Sequence, residues 1–142
     1  MHPLYEKADA LTKVVIDAAV AVHSHFGPGL LESVYVKCLE QALRVQGLKT
    51  AREVMVPIEY MGLRFEENLR IDLLVDDCLV VEAKAVEKTD PMRFKMQALT
   101  YMKLLNLPLG LVINFGGTSL KGHNVWRVIL KDAGRPEEPC PF

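Results

Sequence analysis

The stretch Ile71-Asp72-Leu73-Leu74-Val75-Asp76-Asp77-Cys78-Leu79-Val80-Val81-Glu82-Ala83-Lys84-Ala85-Val86 decides how this chain is read. Its two halves are short, apolar and rich in β-branched residues, and Asp76-Asp77 breaks them apart, so the pattern predicts two neighbouring strands. Charges interrupt both: Asp72 in the first, Glu82 and Lys84 in the second. Residues two apart on a strand share a face, so Glu82 and Lys84 point the same way, with Val80 and Val86. An uncompensated charge in such a place is strongly disfavoured, so the three groups are expected to share one site. A divalent cation is the simplest compensator.

Outward from these strands, the pattern reads as a mixed sheet flanked by helices. Leu11, Val14, Val15, Ala18, Ala19 and Val22 make one helical stripe between Tyr5 and about Phe26, which Gly27-Pro28-Gly29 ends. A second helix is expected from about Leu30 to Val45, stopped by Gly47. Lys49 to Tyr60 alternates loosely and reads as a strand, with Pro57 marking an edge or a bulge. Met61-Gly62 reads as a turn and Leu63 to Glu66 as a short return strand. Beyond the charged pair, Asp90 and Pro91 suit the cap and first position of a helix running to about Leu105. Leu109 to Phe115 and Val125 to Leu130 are the last strands. The expected order is α-α-β-β-β-β-α-β-β, an α/β fold in one domain over residues 1–132. Residues 133–142, rich in Pro and Glu, are expected to form a loose tail.

Composition narrows the class. Half of the 142 residues are hydrophobic, enough for one core. No apolar run approaches the roughly 20 residues that span a bilayer, and the first residues lack the basic-then-apolar order of a secretory signal. Three cysteines, Cys38, Cys78 and Cys140, are too few and scattered for a disulfide framework or a cysteine zinc site. Cys38 and Cys78 are read as buried thiols, and a reducing cytoplasm is expected. A formal net charge of −1 argues against an obligate nucleic-acid coat protein, though not against an enzyme using a local patch.

If the two charged strands pair, Asp72 and Glu82 approach to about 5 Å, where repulsion is on the order of 3 kcal/mol at an effective dielectric of 20. A shared proton or a hard cation relieves it, and oxygen ligands suit Mg²⁺ or Mn²⁺ rather than zinc. The ordinary alternative is an ion pair with Arg70 or Lys84. Lys84 is assigned positioning and electrostatic work on an attacking water and a phosphate, against the alternative that it only neutralises Glu82. Glu32 shares a helix face with Tyr35, Leu39 and Leu43, yet a first-turn acid is also simply favourable to the helix dipole. On periodicity alone that plain reading wins. Gln97 and Tyr101, one turn apart, lie on a stripe with Phe94, Ala98 and Leu105, so an amide faces inward where it can orient a water or ligand. His23 and His25, two apart on a helix, do not share a face, and no serine sits in a nucleophile elbow.

These motifs together resemble a known family. Gly29-Leu30-Leu31-Glu32-Ser33-Val34-Tyr35 resembles the signature that names the GxxExxY proteins. Arg70 to Val75, then Val81-Glu82-Ala83-Lys84, then Gln97 with Tyr101, resemble its other motifs in order. The likeness runs from about Ala10 to Leu130. That family is placed in the PD-(D/E)XK nuclease superfamily, so the resemblance implies an α-β-β-β-α-β core beginning at the second helix, behind an extra N-terminal one. It implies a nuclease that hydrolyses phosphodiester bonds with Mg²⁺ or Mn²⁺ held by Asp72, Glu82 and the Ala83 carbonyl. Glu32 would complete the acidic cluster, Lys84 would be the catalytic lysine, and Gln97 and Tyr101 the Gln-x-x-x-Tyr element. Ala83 departs from the bulkier apolar residue expected between acid and lysine, without changing their spacing. Arg70, Lys95 and Lys103 are read as phosphate contacts. The implied partner is nucleic acid, DNA ahead of RNA, with a homodimer as a way to reach both strands. The alternative is a catalytically silent module that keeps the fold to bind protein or nucleic acid.

Overall fold

Helices form where apolar residues recur at three- and four-residue steps. α1 spans Tyr5–Phe26 and α2 spans Glu32–Val45, and Gly27, at φ 69°, ends α1 with its amide on the His23 carbonyl. The computed structural model describes residues 1–67 and 69–136. After α2 the chain makes β1 (Thr50–Val56), β2 (Glu59–Tyr60), β3 (Leu63–Arg64), β4 (Leu69–Val75) and β5 (Leu79–Lys84). Then come α3 (Pro91–Leu105), β6 (Leu109–Asn114) and β7 (Val125–Ile129). Asp90 caps α3 by accepting the Arg93 amide at 3.3 Å, with Pro91 at the first helical position.

The single strand expected from Lys49 to Tyr60 is two. Pro57 brings no N–H to a ladder, so β1 stops at Val56 and β2 pairs with β3 in a separate ribbon. That ribbon turns at Met61-Gly62, whose φ values of 49° and 86° suit a tight hairpin. The main sheet has the order β1-β4-β5-β6-β7, with β5 and β6 parallel and the other neighbours antiparallel. α3 supplies the crossover that a parallel pair needs.

Each face of the sheet is covered. α1 and α2 pack Val15, Ala19, Tyr35 and Leu39 on Leu73, Val81, Leu111 and Phe115. α3 packs Ala98, Tyr101 and Met102 on Val80, Val112 and Val128. α3 approaches β6 so closely at Gly110 that an added Cβ would lie 2.9 Å from the Met102 sulfur. The α-β-β-β-α-β core is therefore α2-β1-β4-β5-α3-β6, as expected, with α1, the ribbon and β7 added to it.

Side-chain alternation breaks inside β4. Ile71 joins the α3-side cluster, whereas Leu73 and Val75 join the opposite one. Asp72 lies at the break, and opposite it Glu53 sits between the Arg52–Leu73 and Val54–Ile71 pairs with φ 53°. A non-glycine residue in that region within a strand is uncommon and marks a local distortion.

Two smaller expectations change. Cys38 is half-buried rather than buried, while Cys78 is fully buried and Cys140 lies outside the described residues. The start of the tail is tied down: Ala133 is buried and accepts the His2 amide at 2.9 Å, and Arg135 pairs with Asp9 at 3.3 Å and Glu6 at 3.7 Å. The remainder of the expected loose tail, 137–142, lies outside the described residues. Among the described residues no helix is long and apolar enough to cross a membrane.

Candidate active site

β4 and β5 are paired through Leu73–Val81, Leu74–Val80 and Val75–Leu79, and the ladder goes no further. The next pair would be Asp72 with Glu82. Instead, their side chains fill the gap between the strands. Asp72 donates its amide to Glu82 Oε1 at 3.0 Å, and Ala83 donates its amide to Asp72 Oδ2 at 2.8 Å. Each carboxyl thus satisfies a backbone donor that the parting of the strands would leave orphaned.

Burial dominates the electrostatics of this pair. It raises the carboxyl of Glu82, 3 % exposed, to about 8, with the charge of Asp72 adding to the rise and the Asp72 amide and Lys84 opposing it. Burial likewise raises Asp72, against the pull of the Ala83 amide and Lys84. A hydrogen bond between the two side chains favours the proton on Glu82 and the charge on Asp72. Of the two, the more buried Glu82 is therefore the one that holds a proton more readily.

Lys84 extends the site toward α3. Its ammonium donates to Gln97 Oε1 at 2.8 Å and lies 5.3 Å from the centre of the Phe94 ring, rather than pairing with a carboxylate. Gln97 in turn donates through Nε2 to the Tyr101 hydroxyl at 3.0 Å. The helical spacing of 94, 97 and 101 puts all three partners on one stripe of α3. Burial raises the Tyr101 hydroxyl, and the charges of Glu82 and Asp72 raise it further, so it remains a donor.

Glu32 enters from the first turn of α2. It is an exposed residue, but its carboxyl lies against the Ala85 amide and feels both Lys84 and Asp72. Burial raises it, Lys84 and the Ala85 amide lower it, and Asp72 raises it. Glu32, Glu53 and Asp72 line one cleft of about 360 Å³, together with Lys37 and Arg52. Among the described residues no three His, Cys, Asp or Glu side chains stand at ligand distance from a common point. The acids share a neighbourhood without forming a closed cage. Their chemistry fits a hard divalent cation, since all the donors are carboxylate oxygens and burial holds both members of the pair above the ordinary carboxylate range, a cost that a cation would offset.

The basic residues expected to hold phosphates are not gathered here. Arg70 is exposed on β4 opposite Met55, Lys95 is half-buried on α3, and Lys103 is exposed in the last turn of α3. None of them makes a hydrogen bond or ion pair to the cluster. Two residues of the site escaped the sequence pattern. Glu53 looks like any outward acid on an alternating strand, and nothing in the sequence foretells its inverted backbone. Phe94 was on the same stripe as Gln97, and that spacing was its signal.

Residues 9–128 match the family model described as the PD-(D/E)XK nuclease superfamily. This chain is a member of that superfamily. Its five-stranded mixed sheet between helices is consistent with the PD-(D/E)XK fold, whose members are generally nucleases and typically use divalent metals. No curated protein gives a match. The crystal structure of SSO0001 matches at 18 % identity with a TM-score of 0.49, over 82 % of this chain and 65 % of that one. A likeness that slight carries no argument about function.

Proposed function

We propose that this protein hydrolyses phosphodiester bonds of nucleic acid, with Mg²⁺ or Mn²⁺ bound at Asp72 and Glu82. The observation that carries this reading is the carboxyl pair inserted between parted strands, with Glu82 two residues before Lys84, in a chain of the nuclease superfamily. Glu32 and the carbonyl of Ala83 would complete the metal's ligands, directly or through water. When bound, the ion would polarise the scissile phosphate and acidify a water beside it. Lys84, aimed by Gln97 and Phe94, would orient that water and offset negative charge growing on the phosphate. Gln97 and Tyr101 would hold the substrate. Arg70, Lys95 and Lys103 would contact phosphates further along it. DNA is preferred to RNA, and a homodimer would bring two sites to a duplex. The free thiols of Cys38 and Cys78 fit a reducing compartment such as the cytoplasm. The narrower kinship with GxxExxY proteins rests on the sequence motifs.

The test is incubation of the purified protein with labelled single- and double-stranded DNA and RNA, with Mn²⁺ or with chelator. Cleavage of at least one substrate with Mn²⁺ and none with chelator is expected; no cleavage of any substrate would remove the catalytic reading. A second reading, a silent module that binds without cutting, is favoured by the open arrangement of the acids. It predicts nucleic-acid or protein binding that is indifferent to Mn²⁺.

A further inference from the structure

Three buried polar side chains outside the acidic pair all serve to hold two loops. Tyr35, stacked on Phe115 with ring centres 4.5 Å apart, donates its hydroxyl to the Gly27 carbonyl and accepts the Leu30 amide at 3.1 Å. His23 bonds the Gly117 carbonyl through Nε2 at 2.8 Å. Asn114 accepts the amides of Val86 at 3.0 Å and Gly116 at 3.1 Å, and donates to the Val86 carbonyl at 3.0 Å and Asn124 Oδ1 at 3.1 Å. Burying such groups is costly unless each is satisfied. Here every bond goes to the turn at 27–30, the end of β5, or the loop after β6. Gly116 is packed against the segment that follows β5 so tightly that an added Cβ would lie 2.5 Å from the Val86 backbone. Loops fixed this firmly form a pre-organised surface, which is what a binding site requires.

Between them lies a trough. It starts one residue past Lys84, at Ala85 and Val86, with a volume of about 740 Å³. Thr118 also edges a second hollow of about 380 Å³, which Ser24, Ser119 and Lys121 line with it. Small residues, hydroxyls and one ammonium allow close approach and offer donors, as an extended phosphate backbone needs. The walls are single loops, and Lys121 is the one lysine or arginine among the described lining residues, with Glu87 at the rim. That is not the broad basic face that a duplex binder uses.

We propose that this trough carries one unpaired strand of nucleic acid away from the cleavage site, its phosphates held by Thr118, Ser119 and Lys121. The proposal rests on the nuclease reading above and narrows its substrate to a single strand at each site. It is tested by titrating a labelled 12-nucleotide oligo-dT and a 12-base-pair duplex with the whole protein in chelator, alongside Mn²⁺-dependent cleavage of both. Lys121→Ala is expected to weaken oligo-dT binding about tenfold and to reduce the slope of log affinity against log salt by about 0.7, the value of one single-strand phosphate contact. Ser24→Trp, at an exposed helical position on the wall, is expected to block the trough and abolish oligo-dT binding, with the melting temperature unchanged. If the wild type cleaves but both variants bind oligo-dT as it does, the trough is overturned and the nuclease reading stands. If nothing is cleaved while binding still depends on Lys121, the nuclease reading fails and takes the trough's role beside a cleavage site with it, leaving a single-strand binding surface. Duplex binding as tight as oligo-dT binding, and equally sensitive to Ser24→Trp, would overturn the preference for a single strand.

Discussion

Glu82 leaves the ordinary carboxylate range because burial costs its charged form more than Lys84 and the Asp72 amide restore, and Asp72 adds repulsion. Below pH 4.5 the folded and unfolded chains both carry this proton. Between 4.5 and about 8 the folded chain keeps it and the unfolded chain loses it. The folded state then binds more protons, so metal-free stability falls as pH rises through that window. Urea midpoints in chelator from pH 5 to pH 8 should decline, and Glu82→Gln should flatten the decline; an unchanged slope in the variant would place the proton elsewhere. Lys84 separates binding from chemistry. Lys84→Ala should lose cleavage while Mn²⁺ still raises the melting temperature, and retained turnover would make the lysine a structural group. Asp72, Glu82 and Lys84 were legible in the sequence because a charge inside an apolar strand has few innocent explanations. Glu32 was not legible from periodicity, since a first-turn acid is ordinary, and only its resemblance to a motif raised it. Glu53 was invisible, because an outward acid on an alternating strand signals nothing and its positive φ lies opposite Asp72 on a strand distant in sequence.

At the scale of elements, helices and strand positions followed from spacing, and the errors fall where one strand's geometry depends on another's. The period of α1 and α2 and the Asp90-Pro91 start of α3 are local signals, and each element stands where they place it. The switch of faces between Ile71 and Leu73 is not local. A strict two-residue period puts both on one side, and the parting of β4 from β5 sends them to opposite clusters. The junction of β5, β6 and β7 also gives a prediction. Asn114 satisfies both polar groups of Val86 and the amide of Gly116. Asn114→Ala would orphan them at a cost of about 3 kcal/mol, from roughly 1–3 kcal/mol for an unsatisfied buried group with some recovered by water. The melting temperature should fall by about 10 °C. A fall of only one or two degrees would show that the junction holds without its asparagine.

For the whole molecule, the same proton links folding to cation binding with opposite signs. A cation at Asp72 and Glu82 must displace the proton from Glu82, so below pH 8 its apparent affinity should rise about tenfold per pH unit and then level off. Mn²⁺ at 100 times its Kd at pH 8 would stabilise the fold by about 2.7 kcal/mol. At pH 6 the same concentration would be only about twice Kd, and the gain would shrink to about 0.6 kcal/mol. Metal-free protein, by contrast, is more stable at pH 6 than at pH 8 as far as Glu82 governs it. Melting curves at both pH values, with Mn²⁺ and with chelator, therefore converge at pH 6 and separate at pH 8. Asp72→Ala should remove the separation at both. A Mn²⁺ shift that ignores pH would mean the cation binds without displacing the Glu82 proton, and one that survives Asp72→Ala would move the cation away from the parted strands altogether.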